Sequence, residues 1–277
     1  IRLSLVGSEM CIRDRAYGYS LDRIVSHESF LEGVEAADGT RRLLVLVVCG
    51  LVAGTGWWLI YRYGRPLVSV TDAVRDPTAR MPAKTTLAHA TLQIVTVALG
   101  SPLGREVAPR EVGALAASRL SALLRLPPDA HRLIVACGAG AGLAAVYNVP
   151  LGAALFVLEV LLGTFTWPAA TAALAASCIG AVVAWIGLGD EIQYALPAMT
   201  VNAGLIAWSV LAGPVFGLAA YGFVRLTSAA RRHAARGWRL PVAALINFTL
   251  IGCLAMALPA LLGNGKGAAQ LGFSNAL

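Results

Sequence analysis

Apolar side chains run along this chain in long unbroken blocks. Residues 43–61, 133–158, 160–189, 192–224 and 240–265 contain no charged side chain. Each block reaches or exceeds the roughly 20 residues that a helix needs to cross the hydrocarbon core of a bilayer. A membrane β-barrel would instead show short strands of alternating polarity. These blocks are continuously apolar and rich in Ala, Leu and Gly, so the pattern predicts an all-α, polytopic membrane protein.

The polar positions divide the blocks into elements. A first spanning helix is expected over residues 43–63, closed by Arg62 and Arg65, and then a segment over 66–74 too short to span. Asp76, Pro77 and Thr78 break it. A moderate apolar run over 86–100 ends at Gly100-Ser101-Pro102-Leu103-Gly104, which no regular helix tolerates, and a new helix opens near Arg105 and runs to about Leu124. Helices follow over 132–147 and 151–162, separated by Asn148-Val149-Pro150, then over 167–186, 201–227 and 240–262. Asp190, Glu191 and Gln193 mark a polar connection, and residues 263–267 a glycine-rich loop.

Composition strengthens this picture. Of 277 residues, 57% are hydrophobic and 13% charged, where a soluble domain devotes roughly a quarter to charge. That supply cannot cover a wet surface. The net charge of +7 does not point to nucleic acid: the cations gather at segment ends, as in Arg225, Arg231, Arg232, Arg236 and Arg239. Such flanks are what the positive-inside rule expects of a cytoplasmic connection. The five cysteines and four histidines are scattered without metal-ligand spacing. No nucleophile–base set suggests an enzyme. Residues 1–42 mix acids and arginines and lack the layout of a signal peptide. They are expected to be extramembrane or non-native, with a partial transmembrane domain over 43–277.

The broken helices carry the functional argument. Helix ends at mid-membrane depth must face protein or a water-filled cavity, because bare N–H and C=O groups are costly against lipid. The interruptions over 100–109 and 148–150 are therefore where a transported solute is to be sought. Gly104, Arg105, Glu106, Val107 and Ala108 place a helix amide end in an apolar setting, which suits an anion. Glu106 has two readings: an acid satisfied by the helix dipole, or a gate that competes with the anion for the same amides and is released by protonation. Ser69 either donates its hydroxyl to an ion or caps the short helix after it. Glu159 is expected to hydrogen-bond a neighbouring helix, Asn148 to satisfy the backbone at its break, and Tyr147 to pack. Gly138, Gly140 and Gly142, like Gly54 and Gly56, allow close helix approach.

Three blocks resemble the CLC family of chloride channels and chloride/proton antiporters. Gly104-Arg105-Glu106 with Val112-Gly113-Ala114 is similar to its Gly-Arg/Lys-Glu-Gly-Pro motif. The stretch from Cys137 through Asn148-Val149-Pro150 to Glu159 is similar to its long block with an Asn-x-Pro break, and Gly263-Asn264-Gly265-Lys266-Gly267 to its glycine-rich loop. The resemblance covers about 43–277 and slightly more than the family's first half, so a longer gene product is expected.

It implies an inverted-repeat fold in the cell membrane and a homodimer with one pathway per subunit. It also implies chloride as the transported ion and no cofactor. Glu106 would be the gating glutamate and Ser69 a chloride-coordinating serine, with Asn148 and Glu159 in support. The chain departs from the pattern where Val107-Ala108 replace Gly-Pro, where Val68-Ser69-Val70 replace the Gly-Ser-Gly block, and where Val160 replaces an antiporter acid. The last departure tilts the expectation toward a channel. A secondary transporter of another small anion, and a membrane scaffold that transports nothing, are the alternatives.

Overall fold

The computed structural model describes residues 30–76, 78–188 and 201–273. The expected polar connection around Asp190, the segment before residue 30 and the last four residues lie outside them. Every regular element among the described residues is helical: α1 (Phe30–Ala36), α2 (Gly39–Tyr63), α3 (Val70–Arg75), α4 (Ala83–Ala98), α5 (Val107–Leu123), α6 (Pro128–Tyr147), α7 (Pro150–Phe156), α8 (Trp167–Leu188), α9 (Ala203–Arg232), α10 (Arg239–Ala257) and α11 (Lys266–Phe273). Five of them, α2, α6, α8, α9 and α10, are long and apolar enough to cross a membrane. The protein is a multi-pass integral membrane protein.

Helix α2 begins at Gly39 rather than at residue 43, with Asp38 accepting a hydrogen bond from the Thr40 amide at 3.0 Å. Arg41 and Arg42 precede the uncharged block that begins at residue 43. Arg42 is nevertheless buried, and donates to the carbonyls of Val34 (2.7 Å), Glu35 (2.9 Å) and Ala255 (3.3 Å). These oxygens belong to the last turns of α1 and α10, where carbonyls run out of intrahelical amides, and the Val34 oxygen also accepts the Ala37 amide at 3.3 Å. One guanidinium thus satisfies two helix ends, and so its burial is tolerated.

Helix α6 is the centre of the bundle, packed on α5, α7 and α8, while α2 pairs with α10. Small residues make these approaches possible. A Cβ at Gly113 would strike the Gly138 carbonyl, one at Gly138 the Gly113 carbonyl, and one at Gly142 the Pro109 carbonyl. Gly138 and Gly142, four residues apart on one face, therefore bring α6 against α5 backbone to backbone. Gly140 turns to Val157. Gly54 meets Pro241 and Ala244 of α10 in the same way, whereas Gly56 meets Leu92 of α4. The expected packing role of these glycines is what the structure shows.

Two helices depart from expectation. The helix expected over 151–162 is α-helical only to Phe156; Val157–Leu162 winds wider, as a π-turn, and closes at Gly163 with φ of 67°. Helix α9 has no buried residue along its 30 residues, and nothing approaches Gly213, Gly217 or Gly222. An apolar helix so exposed belongs in hydrocarbon or against further protein.

Candidate anion site at two helix breaks

Both interruptions read from the sequence are present. Helix α4 stops at Ala98 and α5 starts at Val107. The stop is a Schellman-type close: Gly100 sits at φ 91°, its amide bonds to Val97 at 3.0 Å, and the Ser101 amide bonds to Thr96 at 3.1 Å. The glycine-rich loop after α10 reaches back to this place, the Gly263 amide donating to the Gly100 carbonyl at 3.1 Å. At the second break Asn148 takes a left-handed conformation, φ 55° and ψ 42°, and ends α6. Left-handed backbone suits Asn better than most residues, and Pro150 then opens α7.

Glu106 is the residue immediately before α5, and its carboxylate caps none of the amides behind it. It folds back over Gly104 instead. A Cβ on Gly104 would collide with both carboxylate oxygens, so only glycine leaves this position open. Tyr147, the last residue of α6, donates its hydroxyl to Glu106 Oε2 at 3.0 Å. The Arg105 guanidinium lies over the Tyr147 ring at 5.6 Å and donates to the Val146 carbonyl at 3.4 Å. The two breaks therefore meet in one cluster of carboxylate, phenol and guanidinium. Arg110 stands on its other side, donating to the Glu106 carbonyl at 3.2 Å with its guanidinium 5.5 Å from the Phe156 ring.

The amide end of α5 has a distinct composition. Val107 and Ala108 contribute N–H donors and Pro109 contributes none, while the Arg110 amide makes a long first turn bond to Glu106 at 3.4 Å. Ser101, fully buried in the preceding loop, holds a hydroxyl with no hydrogen-bond partner among the described residues. A helix amide end with two arginines nearby is an arrangement that can attract an anion.

The remaining expected residues are placed differently. Ser69 is exposed and caps α3: its hydroxyl accepts from the Asp72 amide at 3.1 Å and donates to Asp72 Oδ2 at 2.6 Å. Its proton is thus directed at a carboxylate. The Asn148 side chain reaches α8, its Oδ1 accepting from Trp185 Nε1 at 2.9 Å. Glu159 is exposed on the π-turn. Tyr147, expected only to pack, is the contact that sequence reasoning missed. It lies 41 residues from Glu106, and a tyrosine beside a helix break carries no signal of its partner. Among the described residues no three His, Cys, Asp or Glu side chains gather as a metal site.

A bundle of broken, unequal helices whose interruptions converge on a carboxylate and an uncapped amide end belongs to the class of polytopic membrane proteins. Comparison with known proteins makes the class specific. The family described as "Voltage gated chloride channel" matches residues 40–277. A voltage-gated ClC-type chloride channel, ClcB, of Shigella flexneri is 32% identical over 250 residues, covering 83% of this chain and 56% of the relative. A putative ClcB-like chloride channel protein of Ralstonia nicotianae is 32% identical over 244 residues, covering 81% of this chain and 54% of that protein.

Among solved structures, a slow cyanobacterial Cl−/H+ antiporter superposes with a TM-score of 0.74 at 16% identity, over 98% of this chain and 63% of its own. A CLC-type fluoride/proton antiporter superposes at 0.71 and 20% identity, over 100% and 70%. The chain belongs to the CLC, or voltage-gated chloride channel, family, whose members are channels and transporters rather than enzymes. It spans about half the length of the curated relatives it matches.

Proposed function

We propose that this chain forms part of an anion pathway, with chloride as the anion and Glu106 as its gate. The observation that carries the proposal is the Glu106 carboxylate, turned over Gly104 beside the α5 amide end and held there by the Tyr147 hydroxyl. An ionised carboxylate and an anion compete for the same positive potential, and protonation removes the competitor. Gly104, Arg105, Val107 and Ala108 supply the backbone and charge around the ion. Family membership supports the same reading. The full-length protein would work as a homodimer in the lipid bilayer, one pathway per subunit, and needs no cofactor.

A channel is favoured over a proton-coupled antiporter, because Val160 follows Glu159 where the antiporter pattern has a second acid. The identity of the anion is the finer question. Ser69 donates to Asp72 rather than standing open, which favours a second reading in which another small anion is carried.

The test is Glu106→Gln in the full-length protein, reconstituted in vesicles. A neutral side chain of the same shape should raise chloride flux at neutral pH and flatten its pH dependence. Flux that keeps its wild-type pH profile would refute the gate, and flux indifferent to chloride would favour the second reading. A reversal potential that ignores a proton gradient would support the channel, whereas a pH-dependent shift would overturn it.

A further inference from the structure

Helices α4 and α5 share one histidine–carboxylate contact that the anion cluster does not use. His89 Nδ1 lies 2.8 Å from Glu111 Oε2, with the two side chains 12% and 13% exposed. It is the one contact between a basic and an acidic side chain within 4.0 Å among the described residues, and it lies between apolar helices. Packing gives no reason for it: well-packed apolar residues in place of a buried pair are commonly neutral or stabilising. The Trp57 ring of α2 meets His89 edge-on, with centroids 6.2 Å apart.

The position of the pair is informative. Helices α4 and α5 pack side by side and are joined by the loop that carries Gly104. His89 and Glu111 lie further from that loop than Glu106, toward the end where the Arg65 amide donates to Thr85 Oγ1 at 3.2 Å. Two further polar groups lie in this part of the bundle. Thr86, three residues before His89 and on the same face of α4, holds a fully buried hydroxyl with no hydrogen-bond partner among the described residues. The Tyr61 phenol, near the end of α2, is exposed. From Glu111 to Glu106 the rise along α5 is about 7.5 Å.

We propose that His89 and Glu111 form a proton-carrying station through which Glu106 is protonated from the membrane face where α2 ends and α4 begins. The proposal rests on Glu106 being the gate. His89 Nε2 takes a proton from water at that face. The Nδ1 proton passes to Glu111 Oε2, which leaves a neutral imidazole and a neutral carboxyl. That carboxyl gives its proton to Glu106 through bridging water and returns to carboxylate, and the imidazole recovers its first tautomer by releasing the Nε2 proton to water and taking one from water at Nδ1.

The other charged or titratable groups around the pair are Arg110 and Glu106 on α5, Lys84 in the first turn of α4, and Tyr61 on α2. Helix α6 faces this stretch of α5 with Gly138 and Gly142, and its own His131 and Arg132 are bonded elsewhere, to Ser121 and to the Leu162 carbonyl.

The experiment is chloride flux against pH for His89→Gln and Glu111→Gln in the full-length protein in vesicles, each alone and combined with Glu106→Gln. Alone, each variant should slow acid-activated flux roughly a hundredfold, the low end of what a positioned proton donor contributes. In the Glu106→Gln background, which needs no proton, neither should have any effect. Single variants with a wild-type pH profile would overturn the proposal, and so would equal losses in both backgrounds, the mark of a merely structural bridge. Should Glu106→Gln itself leave flux unchanged, the gate reading fails first, and the two failures are told apart.

Discussion

The Tyr147 hydroxyl donates to Glu106 Oε2 at 3.0 Å, and so ties the last residue of α6 to the residue that opens α5. A hydrogen bond to a charged group contributes about 1.5–3 kcal/mol. Its loss should therefore be felt wherever the position of that carboxylate matters. Tyr147→Phe keeps the ring under the Arg105 guanidinium and removes only the donor. Chloride flux at neutral pH should rise about tenfold, with little change in thermal stability. Flux that stays at the wild-type level would show that the bond does not hold the gate.

Gly104 offers a cleaner displacement. A Cβ there meets only the end of the flexible Glu106 side chain. Gly104→Ala should fold, because a side-chain terminus can swing away at small cost. The carboxylate should leave its place, and flux at neutral pH should approach that of Glu106→Gln. Flux and chromatographic behaviour, measured on the same preparation, separate this from misfolding.

The contrast is Gly142. Its added side chain would meet the backbone of Pro109, which cannot move independently of α5. Overpacking of this kind costs about 1–3 kcal/mol and sometimes more. Gly142→Val should lower the thermal unfolding midpoint and the yield of monodisperse protein in detergent. A variant as stable as the parent would show that α5 and α6 are not in backbone contact.

Asp72 tests Ser69. The Ser69 proton is engaged at 2.6 Å by the Asp72 carboxylate, and the Asp72 amide is capped in return. Asp72→Asn removes the negative charge and weakens the hold on that proton, while the cap remains. If Ser69 coordinates the ion, chloride flux should rise severalfold in Asp72→Asn and fall in Ser69→Ala. No response in either variant would reduce Ser69 to a helix cap, a role worth about 1 kcal/mol.

Much of the architecture follows from one-dimensional pattern. Uncharged blocks define spanning helices because lipid accepts no unpaired charge without cost. The breaks at Gly100 and at Asn148 are legible because a left-handed residue or a proline ends a helix whatever surrounds it. The start of α2 was not legible. Arg42 reads as a polar boundary until α1 and α10 bring it carbonyl oxygens from both sides. The π-turn after Phe156 likewise has no distinct signature in an apolar run.

The sequence by itself determined that this protein lies in a membrane, that its helices are interrupted at two places, and that Glu106 stands at one of them. Those are consequences of hydrophobicity and backbone chemistry, which act locally. Only the tertiary structure decided that the two interruptions meet, that Tyr147 reaches the Glu106 carboxylate with Arg105 over its ring, that Ser69 turns to Asp72, and that His89 finds Glu111. A side chain's partner depends on how helices cross, and that is settled by contacts such as Gly138 on Gly113, made between residues distant in sequence.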